Sequence, residues 1–189
     1  MKRRKFLTFP IAAVALAALS GGAETIGSKQ TRAANGFRVE AGKNHQQQEL
    51  FIMGGTFDLK VSAQDTGGDL CIYDTTRRSK GGPAFHYHHL QDEWFYIIRG
   101  EFLVRVGDET FNLQPGDSAF APRKVPHTFA MTSDGEGQML VLFQPAGSME
   151  DFFLQMSKLG EEIPKNRETE LQRLFHEHGM EIVGPPLKV

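Results

Sequence analysis

GGPAFHYHHLQDEWFYIIRG, residues 81–100, sets His86 and His88 two apart, Glu93 five further on and Gly100 seven beyond that. In an extended strand, residues i and i+2 face the same way. Both imidazoles therefore project to one side, with Tyr87 on the other. Two histidines and a carboxylate on one face are the ligand types that divalent transition metals prefer. In 93–99, Glu93, Phe95 and Ile97 share one face and Trp94, Tyr96 and Ile98 the other. Both faces are apolar apart from Glu93, which is the pattern of a strand covered on both sides. One face lines a cavity; the other packs under a sheet, a helix or a second subunit, so a homodimer is among the arrangements open to it.

Short runs rich in aromatic and branched residues surround this stretch: 56–61, 69–73, 83–88, 93–99, 101–106, 109–113, 118–121, 127–132 and 138–143. Turn signals separate them, among them Gly67-Gly68, Gly81-Gly82, Pro115-Gly116-Asp117 and Asp134-Gly135. Nine short strands at this spacing predict an all-β sandwich or barrel over residues 56–145. Arg99-Gly100-Glu101 and Val106-Gly107-Asp108-Glu109 read as tight hairpins.

A second stretch, LQPGDSAFAPRKVPHTFAMTSD at 113–134, opens a strand on His127, with Phe129 and Met131 on the same face. It completes a candidate set of His86, His88, Glu93 and His127. Three neutral imidazoles and one carboxylate leave one or two positions open on an octahedral metal. Glu93 is a ligand or, alternatively, a base beside the metal. Alternation turns Asp92 and His89 away from this set. Phe85, Phe95, Phe129 and Met131 suit either an apolar substrate pocket or the core.

The two stretches resemble the two motifs of the cupin superfamily. His86-x-His88, four residues, Glu93, six residues and Gly100 follow the first, with Gly81 and Gly82 near the place of its leading glycine. Gly116, five residues, Pro122 and then His127 follow the second. Lys124 stands where that motif usually has glycine, and Met131 where it usually has asparagine. The resemblance spans roughly residues 55–145. The Gly184–Leu187 tail is similar to that of small bacterial single-barrel cupins often labelled quercetin-dioxygenase-like. The resemblance implies an all-β fold, a single jelly-roll β-barrel with a C-terminal helical appendage. It also implies one divalent transition metal ion, Fe, Mn, Ni, Cu or Zn, in the barrel mouth. Three function classes follow from it. They are a metal-dependent dioxygenase acting on a small phenolic or other organic molecule, a non-redox isomerase, lyase or decarboxylase, and a module that binds a small ligand or metal without turnover.

The flanks carry less chemistry. MKRRKFLTF puts Lys2, Arg3, Arg4 and Lys5 ahead of an apolar run from Phe6 to Leu19. That is the order of an export signal, here assigned residues 1–34. Arg3-Arg4-Lys5-Phe6-Leu7 looks like a bacterial twin-arginine signal, with a Sec signal or an N-terminal anchor as alternatives. The expected location is the periplasm or the outside of the cell. Removing 1–34 leaves 15 basic and 22 acidic residues, and no basic patch stands out in the body. Nucleic acid and anionic membranes are poor partners for such a surface, and a small molecule is the expected one. Residues 35–55 read as an irregular arm with His45 on its surface.

After Pro145 the periodicity becomes helical. Ser148-Met149-Glu150-Asp151 reads as a capping box. Met149, Phe152, Phe153, Met156 and Leu159 make one stripe, and Gly160 and Pro164 end that helix. A second helix is predicted over 167–178, with Leu171, Leu174, Phe175 and His178 on one face. His176 and His178, two apart on a helix, do not converge and favour the helix dipole instead. Residues 146–189 are too few for a core of their own and pack on the barrel. Cys71, the sole cysteine, lies in an apolar run and reads as an inert buried thiol.

Overall fold

A computed structural model describes residues 31–159 and 166–189. Most of the expected export segment, residues 1–30, and the expected helix end at Gly160 and Pro164 lie outside the described residues. Among the described residues the chain forms eleven strands and three helices. These are β1 Phe51–Ile52, β2 Gly55–Val61, α1 Ala63–Thr66, β3 Cys71–Arg77, β4 Phe85–His88, β5 Asp92–Arg99 and β6 Phe102–Val106. They continue as β7 Glu109–Leu113, β8 Ser118–Ala121, β9 His127–Met131, β10 Gly137–Gln144, α2 Met149–Lys158, α3 Arg167–Glu177 and β11 Met180–Gly184. No helix among them is long and apolar enough to cross a membrane.

The strands form two antiparallel sheets, ordered β1-β2-β3-β10-β5-β8 and β11-β4-β9-β6-β7. Alternation supplies the apolar filling between them. Phe57, Leu59, Tyr73, Phe95, Ile97, Met139, Val141 and Phe143 point inward from the first sheet, and Phe102, Val104, Phe129 and Met131 from the second. Burying one such side chain contributes about 1.5–3 kcal/mol. Together they fix which face of each strand is inside, and hence which face the ligating residues occupy. The architecture is the expected all-β jelly-roll barrel with helices after it.

Several local expectations are corrected. Val106–Glu109 closes the β6–β7 hairpin as predicted, but Arg99-Gly100-Glu101 is no hairpin. There β5, which pairs with β10 and β8, hands the chain to the other sheet. Gly100 makes that corner because its φ is +78° and a Cβ on it would lie 2.9 Å from the Gly137 backbone. Among the described residues nothing covers the outer face of β5 at Tyr96 and Ile98, which are exposed. The arm is not wholly irregular, since β1 pairs with β2 and Leu50 and Ile52 enter the core. His45 is half-buried rather than free on the surface; it stacks on Phe37 and lies 3.2 Å from Asp65.

The tail is also more than helical. β11 pairs along the whole of β4, whose link to β9 is the single partnership His86–His127. Gly179, at φ +74°, turns the chain from α3 into that strand. Ser148 forms no capping bond with α2. Its Oγ instead accepts from His178 Nδ1 at 3.0 Å, while Gln155 Nε2 donates to His178 Nε2 at 3.0 Å. A capping box does form at α1, between Ser62 and Asp65.

Candidate metal centre

His86 and His88 come from β4, Glu93 from the second position of β5 and His127 from the first position of β9. β4 and β9 belong to one sheet and β5 to the other, so the four meet across the gap between the sheets. One donor atom from each lies within 4.8 Å of all the others, and all four residues are buried. Glu93 Oε2 is 2.7 Å from His127 Nε2 and 3.2 Å from His88 Nε2.

The backbone sets which ring nitrogen faces the centre. His86 Nδ1 donates to the Ala84 carbonyl at 2.8 Å, and His127 Nδ1 to the Val125 carbonyl at 2.9 Å. Each bond is made two residues back and leaves Nε2 as the free donor atom, the usual device for orienting a metal-binding imidazole. His88 Nε2 is buried and makes no hydrogen bond. A buried polar atom without a partner is costly, and a cation at the centre would satisfy it. Three imidazole nitrogens and one carboxylate suit a divalent transition metal.

Electrostatics agree. Burial alone would raise the Glu93 carboxyl, but the hydrogen bond from His127 and the His127 and His88 imidazoles beside it outweigh that and hold the group well below the usual carboxylate range. Burial would lower His127, yet the Glu93 carboxylate raises it. His86 is pushed down to about 3, first by burial and then by His127 and His88. The site is thus an ionised carboxylate holding a proton on His127 beside a neutral His86, and a divalent cation can replace that proton.

One glycine and one lysine shape the approach. A Cβ on Gly82 would fall 1.7 Å from the Phe129 carbonyl oxygen, so only glycine lets this loop lie against β9. Lys124 occupies the left-handed region at φ +66°. Its N–H donates to the His88 carbonyl at 2.7 Å, tying the loop before His127 to the strand of His88.

The cluster borders a cavity of about 920 Å³ through His86, His88 and Glu93. The tail roofs this cavity. Met149, Phe152, Phe153 and Met156 from α2, with Leu171 and Phe175 from α3, line it. Phe175 packs edge-on against His86 at 5.2 Å. Of the four residues suggested as pocket lining, only Phe129 lines it. Phe95 and Met131 are core, and Phe85 sits under the Arg105 guanidinium at 4.4 Å.

The other histidines stay apart from the cluster. His89 and His176 both face Glu181, at 3.4 and 2.8 Å. Asp92 turns outward and pairs with Arg123 at 2.6 Å. Cys71 is fully buried, and burial together with the Glu150 and Glu93 carboxylates raises its thiol far above the ordinary value. Arg77 escaped the sequence reading, which ended its strand at Tyr73. Continued alternation through Cys71, Tyr73, Thr75 and Arg77 puts all four inward, and Arg77 lines the cavity.

Residues 77–143 match the cupin domain model. The two-sheet topology and the His/Glu cluster agree with that match. The chain is 30% identical over 66 residues to an uncharacterized protein of Methanocaldococcus jannaschii, covering 35% of this chain and 53% of that one. It is 30% identical over 66 residues to Protein SchB of Streptomyces halstedii, covering 35% and 48%. The chain thus spans about half the length of the curated relatives it matches. Among solved structures it is similar to KdgF from Halomonas sp., with 23% identity and a TM-score of 0.47, covering 54% of this chain and 89% of that one. It is also similar to an RmlC-like cupin from Shewanella frigidimarina, with 24% identity and a TM-score of 0.46, covering 60% and 96%.

Proposed function

We propose that this protein is a metal-dependent dioxygenase acting on a small phenolic or other organic molecule. The observation that supports it most is the contact between the three-histidine, one-glutamate cluster and a roofed, largely apolar cavity. His86, His88, Glu93 and His127 hold the metal. A divalent transition metal there supplies Lewis acidity and, where redox-active, electrons for dioxygen chemistry. The chain's own part is to fix the donor atoms through Ala84 and Val125, to keep Glu93 ionised, and to exclude water beneath α2 and α3. Glu93 serves as ligand, and its depressed carboxyl makes it a weak base. The test is oxygen uptake by Fe-, Ni- or Mn-loaded protein over a panel of phenols and enols. Uptake matched to substrate loss supports the reading. Turnover under nitrogen points to an isomerase, lyase or decarboxylase, and metal retention without any turnover points to a binding module.

Two further parts of the reading concern the protein's setting. Export through a twin-arginine signal rests on Arg3-Arg4 and the apolar run after them, and normal secretion of an R3K/R4K variant would refute it. A homodimer rests on Tyr96, Ile98 and Phe120, exposed apolar side chains on the outer face of β5 and β8. A monomeric mass by light scattering would refute that.

A further inference from the structure

Arg77 is the inward-facing last residue of β3, only 3% exposed, and it borders the same cavity as the metal cluster. A guanidinium carries five N–H donors and no acceptor. One terminal nitrogen of Arg77 donates to the Met53 carbonyl at 2.8 Å, and its Nε–H has no partner. Among the described residues it forms no ion pair. Glu168 also lines the cavity, but at its exposed rim and beyond ion-pair distance of Arg77. The Phe129 ring, 5.7 Å away, offers a partial compensation. Burying a charge without a counter-charge costs several kcal/mol. A purely structural strap to Met53 would need one donor and no charge.

What lies near this cation fits a ligand of one kind. Phe129 follows His127 by two residues on the same inward face, about 7 Å along the strand. The remaining wall is mostly Phe, Met, Leu and Ile side chains. Planar, bidentate recognition is what a guanidinium offers a carboxylate.

We propose that Arg77 is a carboxylate-binding residue of the cavity, and that the molecule taken up is a small organic acid with an apolar body. Arg77 pairs with the carboxylate and the apolar walls enclose the remainder beside the metal cluster. The inference rests on the reading of this cavity as the substrate site, and it narrows the substrate class.

The test is calorimetric binding of 3-phenylpropanoate and of its uncharged counterpart 3-phenylpropanamide, to chelator-treated and to zinc-loaded protein. The acid is expected to bind about tenfold or more tightly than the amide in both forms, as a charged hydrogen-bonded pair in a buried site implies. R77M should erase the preference, and R77K should keep part of it. Equal binding of acid and amide to the wild-type protein overturns the proposal, as does failure of the acid to bind or a preference that survives R77M. A preference confined to the zinc-loaded form also overturns it, because the metal then holds the carboxylate. The wild-type comparison and R77K stand even where R77M does not fold. Absence of oxygen uptake, by contrast, would remove the dioxygenase reading and leave this binding result untouched.

Discussion

Glu93 Oε2 and His127 Nε2 stand 2.7 Å apart, the first on a strand of one sheet and the second on a strand of the other. His127 Nδ1 is already committed to the Val125 carbonyl. Without a metal, the short contact therefore requires a second proton on the ring, which agrees with the raised imidazole. The pair pins the two sheets together with a proton, in the place a divalent ion would take.

Metal content should follow the four side chains. H86A and H127A are each expected to lose most bound metal by elemental analysis. They should also lose the stabilisation that metal confers, about 2.7 kcal/mol at a concentration one hundred times Kd. Full metal content in both variants would show that the cluster is not the site.

Acid should weaken the metal-free protein through His86. In the unfolded chain this group titrates near 6.5, but in the fold it is pushed down to about 3. Between those values the unfolded chain binds a proton that the folded chain refuses. Stability thus falls as pH drops through that window, by up to about 1.4 kcal/mol per unit from this group. Glu93, with its carboxyl depressed from 4.5, adds to the loss once pH falls below that value. His127, raised in the fold, acts in the opposite sense: its contribution is full below 6.5 and fades at higher pH. Urea midpoints of chelated protein between pH 6 and 5 should therefore decline, and H86Q should flatten the decline. An unchanged slope in H86Q would refute this account.

Replacing Lys124 should help the fold. A side chain at φ +66° carries a left-handed penalty of about 1–2 kcal/mol. Glycine removes it while adding roughly 0.4–1 kcal/mol of unfolded-chain entropy. K124G is expected to be more stable by up to about 1 kcal/mol in denaturant titration. K124A should gain nothing, and equal effects of the two would dismiss backbone strain as the cause.

Gly82 should tolerate no side chain. In G82A the new methyl would meet the Phe129 carbonyl, part of the backbone that carries His127. A loss of about 3 kcal/mol or more is expected, with weaker metal binding in whatever folds. G81A is the control, since nothing lies within 4 Å of a Cβ there, although its φ of +98° still brings a strain cost. Similar metal affinity in G82A and wild type would count against this close approach.

The nine-strand pattern and the inward face of each strand were legible because alternation and turn residues are local. The direction of His86, His88 and Glu93 was legible for the same reason, and His127 joined them through the resemblance of both stretches to the cupin motifs. What escaped depended on distant partners. Gly100 permits a hairpin or a sheet-to-sheet corner equally well, and the choice lies in where β10 and β9 run. Met180–Gly184 is short and follows a helix, so only the open edge of β4 makes it a strand. Ser148 had the residues of a helix cap, but His178, thirty positions on, competes for its hydroxyl. Arg77 was hidden by its polar neighbours Asp74, Thr75 and Thr76, which mask a strand that continues.

The pairing of β11 with β4 has a consequence in time. During synthesis, His86, His88, Glu93 and His127 have all left the ribosome while Met180–Gly184 is still unmade. Until that segment emerges, the strand of His86 and His88 keeps a bare edge and a single bridge to β9. The nascent chain therefore exposes these four side chains before the strand that flanks β4 exists.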